Sequence, residues 1–446
     1  MPQSLPHHAA SPDRPVCSPR RLRGVSAAVT ASGLAVALAA VAIAAPAPAR
    51  AATRSAPAAA LDGVEAQRSQ LARLAKALVA AGAPGVIVRV DDGRGLPVEV
   101  VEQAPWAERD GRLAVGDEFR MGSNTKTMMA VLVLMLVSEH RLDLDDPVER
   151  WLPGKVPNGG AITLRMLLNH TSGLFDYTGD SGLLASILGT DPRRWTSLDL
   201  LALGVRHEPL FAPGTRWSYS NTNYAAVGAV LEQVTGQSAA DLLRDRIARP
   251  LGLRHTYLAT DSTWRGRHAR GYEPDQAHMP TGVPAEYRVV AGPQHDGRVD
   301  VSGNDPGWGG AAGAVVSTAQ DWARFHTALM SGRLLPAAQL AQMRTTVPMD
   351  PENPVNGPGS GLGIETGSTP CGTIWAHDGG ITGYSSSTIT DVTGRRTATV
   401  LVPTEFVYEF EADEGILEAD QALKTAVICT MFGKPVPTAA GATGTG

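Results

Sequence analysis

Apolar residues recur at helical spacing from Asp62 to Ala81, at Val64, Leu71, Leu74 and Leu78, and the pattern stops at Gly82. The next segment, Gly85-Val86-Ile87-Val88-Arg89-Val90, is a short apolar run closed by Asp91-Asp92-Gly93, which predicts a strand and a turn. Leu96 to Val101 and Glu118 to Met121 predict further strands. From Met128 to Leu136 every position is apolar, so this segment predicts a helix buried on all sides. Strand patterns return only near Leu362 to Ile364, Thr373 to Ala376, Ser385 to Ile389 and Thr397 to Val402. A last helical pattern covers Ile416 to Met431. Between them, roughly from Arg141 to Ser302, helices and long loops dominate. Early and late strands then share one antiparallel sheet flanked by helices, with a mostly helical lobe inserted beside it. That is an α+β arrangement, and its site falls between the two lobes.

The chain has 446 residues, 43% hydrophobic and 19% charged, enough for a large core. Its net charge of -5 carries no basic face of the kind that nucleic acid requires. The first 51 residues read as a secretory signal. Arg20, Arg21 and Arg23 precede an alanine-rich apolar stretch from Val25 to Ala45, and Ala49-Arg50-Ala51 offers an A-x-A cleavage site. A flexible leader over 52–61, a globular domain over 62–432 and a disordered tail over 433–446 complete the expected organisation. The processed chain is expected outside the cell with no stable membrane span. Cys17 is lost with the signal, leaving Cys371 and Cys429 as the only pair in a secreted chain, which predicts a disulfide. No cysteine or histidine spacing suggests zinc, so neither a metal nor a cofactor is expected.

Candidate chemistry begins at Ser123-Asn124-Thr125-Lys126, immediately before the buried helix. A serine and a lysine three apart share one helix face. A helix start adds free N–H groups and partial positive charge, and an ammonium this close to a core is costly without a partner or a task. Tyr219-Ser220-Asn221 and His377-Asp378-Gly379-Gly380 follow in that order. The series S-x-x-K, Y-S-N and H-x-G resembles the serine penicillin-recognising hydrolases, in the branch of class C β-lactamases and streptomycete D-alanyl-D-alanine carboxypeptidases. The resemblance runs from about Gly85 to Phe432. It includes Phe119 to Gly122, Leu142 to Val148, Leu167 to Leu174 and Gly310 to Thr318.

The resemblance implies an acyl-enzyme mechanism with Ser123 as nucleophile. An unassisted hydroxyl needs a base, and Lys126 and Tyr219 are the two candidates. Free lysine and tyrosine titrate near ~10.4 and ~10; either a Lys126-stabilised tyrosinate or a buried neutral lysine could serve. The family pattern favours Tyr219 as proton shuttle. Asn221 is expected to bond the substrate amide and Lys126. Backbone N–H groups of Ser123 and Gly380 are expected to form the oxyanion hole, with Gly379 beside them. His377, as imidazolium, would hold Tyr219 deprotonated or attract a substrate carboxylate, giving sensitivity to mild acid. Trp308, between glycines, is a candidate wall of the cleft.

Two departures stand out. Asp378 occupies the place of the usual threonine or serine, where a hydroxyl helps hold a ligand carboxylate. The stretch Ile364-Glu365-Thr366-Gly367-Ser368 contains no arginine, although carboxypeptidase members carry basic residues near it. The leading expectation is a D-alanyl-D-alanine carboxypeptidase-like peptidase on cell-wall-type peptides, with peptidoglycan precursors among its partners. The alternatives are a class C-like β-lactamase, a carboxylesterase or D-amino-acid amidase, and a non-catalytic cell-wall binding protein. No G-x-S-x-G elbow is present for an α/β-hydrolase.

Overall fold

A valine-rich segment near the start of the chain pairs both with the segment that follows it and with one near the end of the chain. In a computed structural model, which describes residues 56–354 and 357–437 with side chains from Val64 onward, strand Gly85–Asp91 lies between Val98–Gln103 and Thr397–Val402. The sheet continues through Tyr384–Thr390, Gly372–Ile381, Glu365–Thr369 and Gly359–Ser360 to Val347–Pro348, eight antiparallel strands in all. The expected α+β class is therefore what the chain adopts. Both faces are covered, so the first strand is apolar at nearly every position rather than alternating.

One face, carrying Val86, Val88, Val400 and Val402, packs on Leu71 and Leu78 of helix Ala56–Ala80 and on Leu423 and Val427 of helix Glu414–Phe432. The other, carrying Ile87 and Leu401, packs in the core that contains helix Thr125–Ser138. Residues Val64–Val436 form a single compact unit. Among the described residues, no helix is long and apolar enough to cross a membrane.

Several sequence expectations are corrected. The first helix begins at Ala56, not Asp62, so the end of the expected leader is helical. Leu362 to Ile364 is a turn between two strands; both side chains are buried, which gave the segment its strand-like look. The inserted lobe is helical mainly from Leu164 to Leu251 and then carries short strands at Tyr257–Leu258, Tyr272–Pro274, Gln294–His295 and Arg298–Asp300. Strands of two or three residues are too short to show a period of two. The signal segment, Cys17 and the tail from Thr438 lie outside the described residues.

Cys371 and Cys429 form the expected disulfide, across a sequence separation of 58. It ties the start of strand Gly372–Ile381 to the closing helix, and so braces the strand that carries the His-Asp-Gly-Gly motif. On the chain-entropy account a loop of this length contributes about 4 kcal/mol. The double variant C371S/C429S should lose about 2–4 kcal/mol in a urea melt; an unchanged midpoint would remove the bridge from the stability account.

Candidate active site

The serine turn is built by backbone packing. Gly122–Asn124 forms one 3-10 turn, and the helix proper starts at Thr125. Gly122 has φ +50, and a Cβ there would lie 2.6 Å from the nitrogen of Gly380. Only glycine lets the serine turn and the motif strand come this close. The two residues between Ser123 and Lys126 anchor the turn. Asn124 Nδ2 donates to Ser386 Oγ at 2.8 Å, and its Oδ1 accepts from Thr388. Thr125 Oγ1 donates to the Gly122 carbonyl at 2.7 Å and accepts from the Val315 N–H at 2.9 Å.

Strand Gly372–Ile381 supplies the opposite wall. Its neighbour Glu365–Thr369 covers only Gly372 to Ala376, so the side facing the serine turn opens from His377 onward. That free edge brings the Gly380 backbone against Gly122, the residue before Ser123. Gly380 has no room for a side chain on its far side, where the Glu405 carboxylate fills the position of a Cβ. Side chains alternate along a strand. His377 is buried towards Tyr219, with ring centroids 6.4 Å apart, whereas Asp378 is exposed on the other face, where its charge acts on Lys424. Asp378 thus does not stand beside His377 as a ligand-facing residue, because the strand period turns it away.

Lys126 is fully buried. Its Nζ lies 2.9 Å from Ser123 Oγ, 2.7 Å from Asn221 Oδ1 and 2.9 Å from the Ala312 carbonyl. Asn221 opens helix Asn221–Thr235 with Ser220 at the cap position, so its side chain is free to serve Lys126 instead of capping. Its Nδ2 donates to Asp176 at 2.9 Å, which fixes Oδ1 towards the lysine. Tyr219 stacks on His170 at 4.4 Å, and Lys126 Nζ lies 4.8 Å from the tyrosine ring centre. Trp308 is half-buried in the turn before Ala312, and its carbonyl accepts from Tyr177 Oη at 3.1 Å.

The sequence matches the family described as Beta-lactamase over residues 19–423. The chain belongs to this beta-lactamase family. It is 30% identical over 337 residues to Penicillin-binding protein 4* of Bacillus subtilis (strain 168), covering 71% of this chain and 65% of that protein. The chain thus spans just under two thirds of that relative's length. A crystal structure of a D-stereospecific amidohydrolase from Streptomyces sp. superposes with TM-score 0.66 at 36% identity, over 79% of this chain and 97% of the other. A D-amino acid amidase from Ochrobactrum anthropi SV3 gives TM-score 0.67 at 26% identity, over 80% and 98%. The chain is therefore a serine hydrolase of the beta-lactamase and penicillin-binding-protein kind.

Within this family member, burial draws the Lys126 amine down to about 7, while the charges of Asp176 and Glu365 pull it back up. Burial pushes the Tyr219 phenol well above its usual 10, and a hydrogen bond with Ser123 only partly opposes this. Burial and the nearby lysine charge hold His377 down to about 4. The expected imidazolium is therefore corrected to a neutral ring. Its Nδ1 lies 2.5 Å from the Asp378 carbonyl, which fixes the proton there.

Three residues outside the expected set belong to the site. Asp176 holds Asn221, His170 stacks on Tyr219, and Glu365 acts on both Lys126 and Tyr219. His170 lay inside the matched Leu167 to Leu174 segment, and its positive φ of 62 marks it as a special position. Asp176 and Glu365 carried no motif of their own.

A base that titrates near 7 makes acylation rise with pH through about 7. The H377N variant should keep that inflection, because His377 is already neutral there. D176N removes a charge that raises the lysine pKa, so its inflection should move to lower pH. Its kcat should also fall roughly tenfold or more, through the loss of a charge-assisted hydrogen bond. Single-turnover acylation followed against pH reads all three; an inflection that follows His377 would overturn the assignment.

Proposed function

We propose that the protein is a D-stereospecific amidase or aminopeptidase working through an acyl-enzyme on Ser123. Neutral Lys126 has two N–H groups committed to Asn221 and Ala312, which leaves its lone pair for the Ser123 hydroxyl. It takes that proton as Oγ attacks the carbonyl carbon. The N–H groups of Ser123 and Gly380 hold the oxyanion. Tyr219, a phenol bonded to Ser123, passes a proton to the leaving nitrogen and regains one from the Lys126 ammonium. The C–N bond breaks, the amine leaves, and water repeats the steps in reverse to free the acid.

One observation carries the choice of substrate: the titratable side chains that act on Lys126 are acidic, not basic. Asp176 and Glu365 act on Lys126, His377 is neutral, and no arginine charge weighs on Lys126, Glu365 or His377 among the described residues. Lys126 is itself committed to three acceptors. A substrate ending in a carboxylate finds no free cation, which disfavours the carboxypeptidase reading, whereas a neutral amide or ester is not repelled. The likeness to a D-stereospecific amidohydrolase and a D-amino acid amidase supports the same choice. The signal-like N-terminus and the disulfide support export to an oxidising compartment.

Purified protein should hydrolyse D-phenylalaninamide with kcat/KM roughly tenfold or more above N-acetyl-D-Ala-D-Ala and above the L-amide, a difference of about 1.4 kcal/mol. S123A should fall to background with its fold intact. Preference for the carboxylate-ended peptide would overturn the substrate reading, and turnover surviving in S123A would overturn the mechanism.

A further inference from the structure

Tyr219 lies in a stretch without regular structure, Trp217 to Ser220, that leads into helix Asn221–Thr235. No helix or strand ladder holds this residue, yet its phenol has to reach both Ser123 and the leaving nitrogen. The residues on either side of it both donate to His170. The Ser218 N–H bonds the His170 carbonyl at 3.0 Å, and the Ser220 N–H bonds its Nδ1 at 3.1 Å. The His170 ring itself lies against the Tyr219 ring, with centroids 4.4 Å apart and planes 24° apart. One buried residue therefore grips the Tyr219 segment at three points.

His170 is fixed from behind. Asn223 Nδ2 donates to the same Nδ1 at 3.2 Å, and Asn223 Oδ1 accepts from Ser172 Oγ. A ring nitrogen that accepts from two N–H groups carries its lone pair, so the imidazole is neutral with its proton on Nε2. Burial, and then the Lys126 charge, hold its pKa well below the usual 6.5, in agreement. With Nδ1 so engaged the ring takes no part in the proton transfers; what it offers Tyr219 is a fixed face. The placement of the phenol matters unequally for different leaving groups. An amide nitrogen must gain a proton as the C–N bond breaks, and a misplacement of about 1 Å costs on the order of 100-fold. A p-nitrophenolate leaves as the anion and needs no proton.

We propose that His170 is the positioning residue for leaving-group protonation: it holds the Tyr219 phenol where it reaches the departing nitrogen, and so fits the site to amides, whose leaving group must be protonated. This inference rests on the reading of Tyr219 as proton shuttle and adds the residue that aims it.

The test compares D-phenylalaninamide with D-phenylalanine p-nitrophenyl ester, which share one acyl group, on wild type, H170N, H170F and Y219F. Asparagine tolerates the left-handed backbone of this position, φ 62, and supplies an acceptor but no ring; phenylalanine supplies a ring but no acceptor. Each should lower kcat/KM on the amide about 10- to 100-fold, and on the ester by no more than about threefold. The ester rate also reports an intact fold and an intact pair of Ser123 and Lys126. Y219F should split the two substrates in the same direction. A split in either His170 variant supports the proposal. An equal fall on both substrates, or an unchanged ratio, in every His170 variant that folds overturns it. A Y219F enzyme without the split overturns the shuttle reading and the role of His170 with it, whereas a split in Y219F that both His170 variants lack overturns the role of His170 alone.

Discussion

A buried lysine amine with three acceptors is the constraint on which the rest of the site depends. Lys126 Nζ meets Ser123 Oγ, Asn221 Oδ1 and the Ala312 carbonyl. As an ammonium it would satisfy all three, but at the cost of a desolvated charge. As an amine it keeps two and turns its lone pair to the serine. Burial brings the two forms close in free energy near neutral pH. The partners are themselves held: Asp176 orients Asn221, and the Val315 N–H reaches back to Thr125, in the residue before the lysine. A short turn, a long helix and a distant loop thus converge on one nitrogen.

The second constraint is the close approach of two backbones. Gly122 and Gly380 meet at a distance that no side chain permits. This contact brings the backbone of the serine turn against that of the motif strand with no side chain between them. The sheet makes it possible, because the neighbouring strand stops at Ala376 and leaves the His377 edge open. The disulfide at Cys371 holds the start of the motif strand, and the bonds from Asn124 to Ser386 and Thr388 tie the serine turn to the strand paired with it.

Much of this was legible in the sequence. The long apolar runs from Gly85 and Met128 marked an inner strand and the buried helix, because elements covered on every side need no polar face. The three ordered motifs marked Ser123, Lys126, Tyr219, Asn221, His377 and Gly380. What escaped was set by tertiary geometry. The ionisation of His377 depends on burial by residues far away in the chain, and the direction of Asp378 depends on strand period. Asp176 and Glu365 are single acidic residues without a pattern, and only the fold brings them to the lysine. The two- and three-residue strands of the inserted lobe have no periodicity to read.

The central claim is that Lys126 is poised between amine and ammonium in the resting enzyme. It is tested most directly by NMR titration of the protein carrying 13C-labelled lysine side chains, with K126R identifying the signal. The account predicts one lysine that titrates near 7 and is absent from the K126R spectrum. A Lys126 signal that titrates near the ordinary ~10.4 would contradict it and return the role of base to Tyr219.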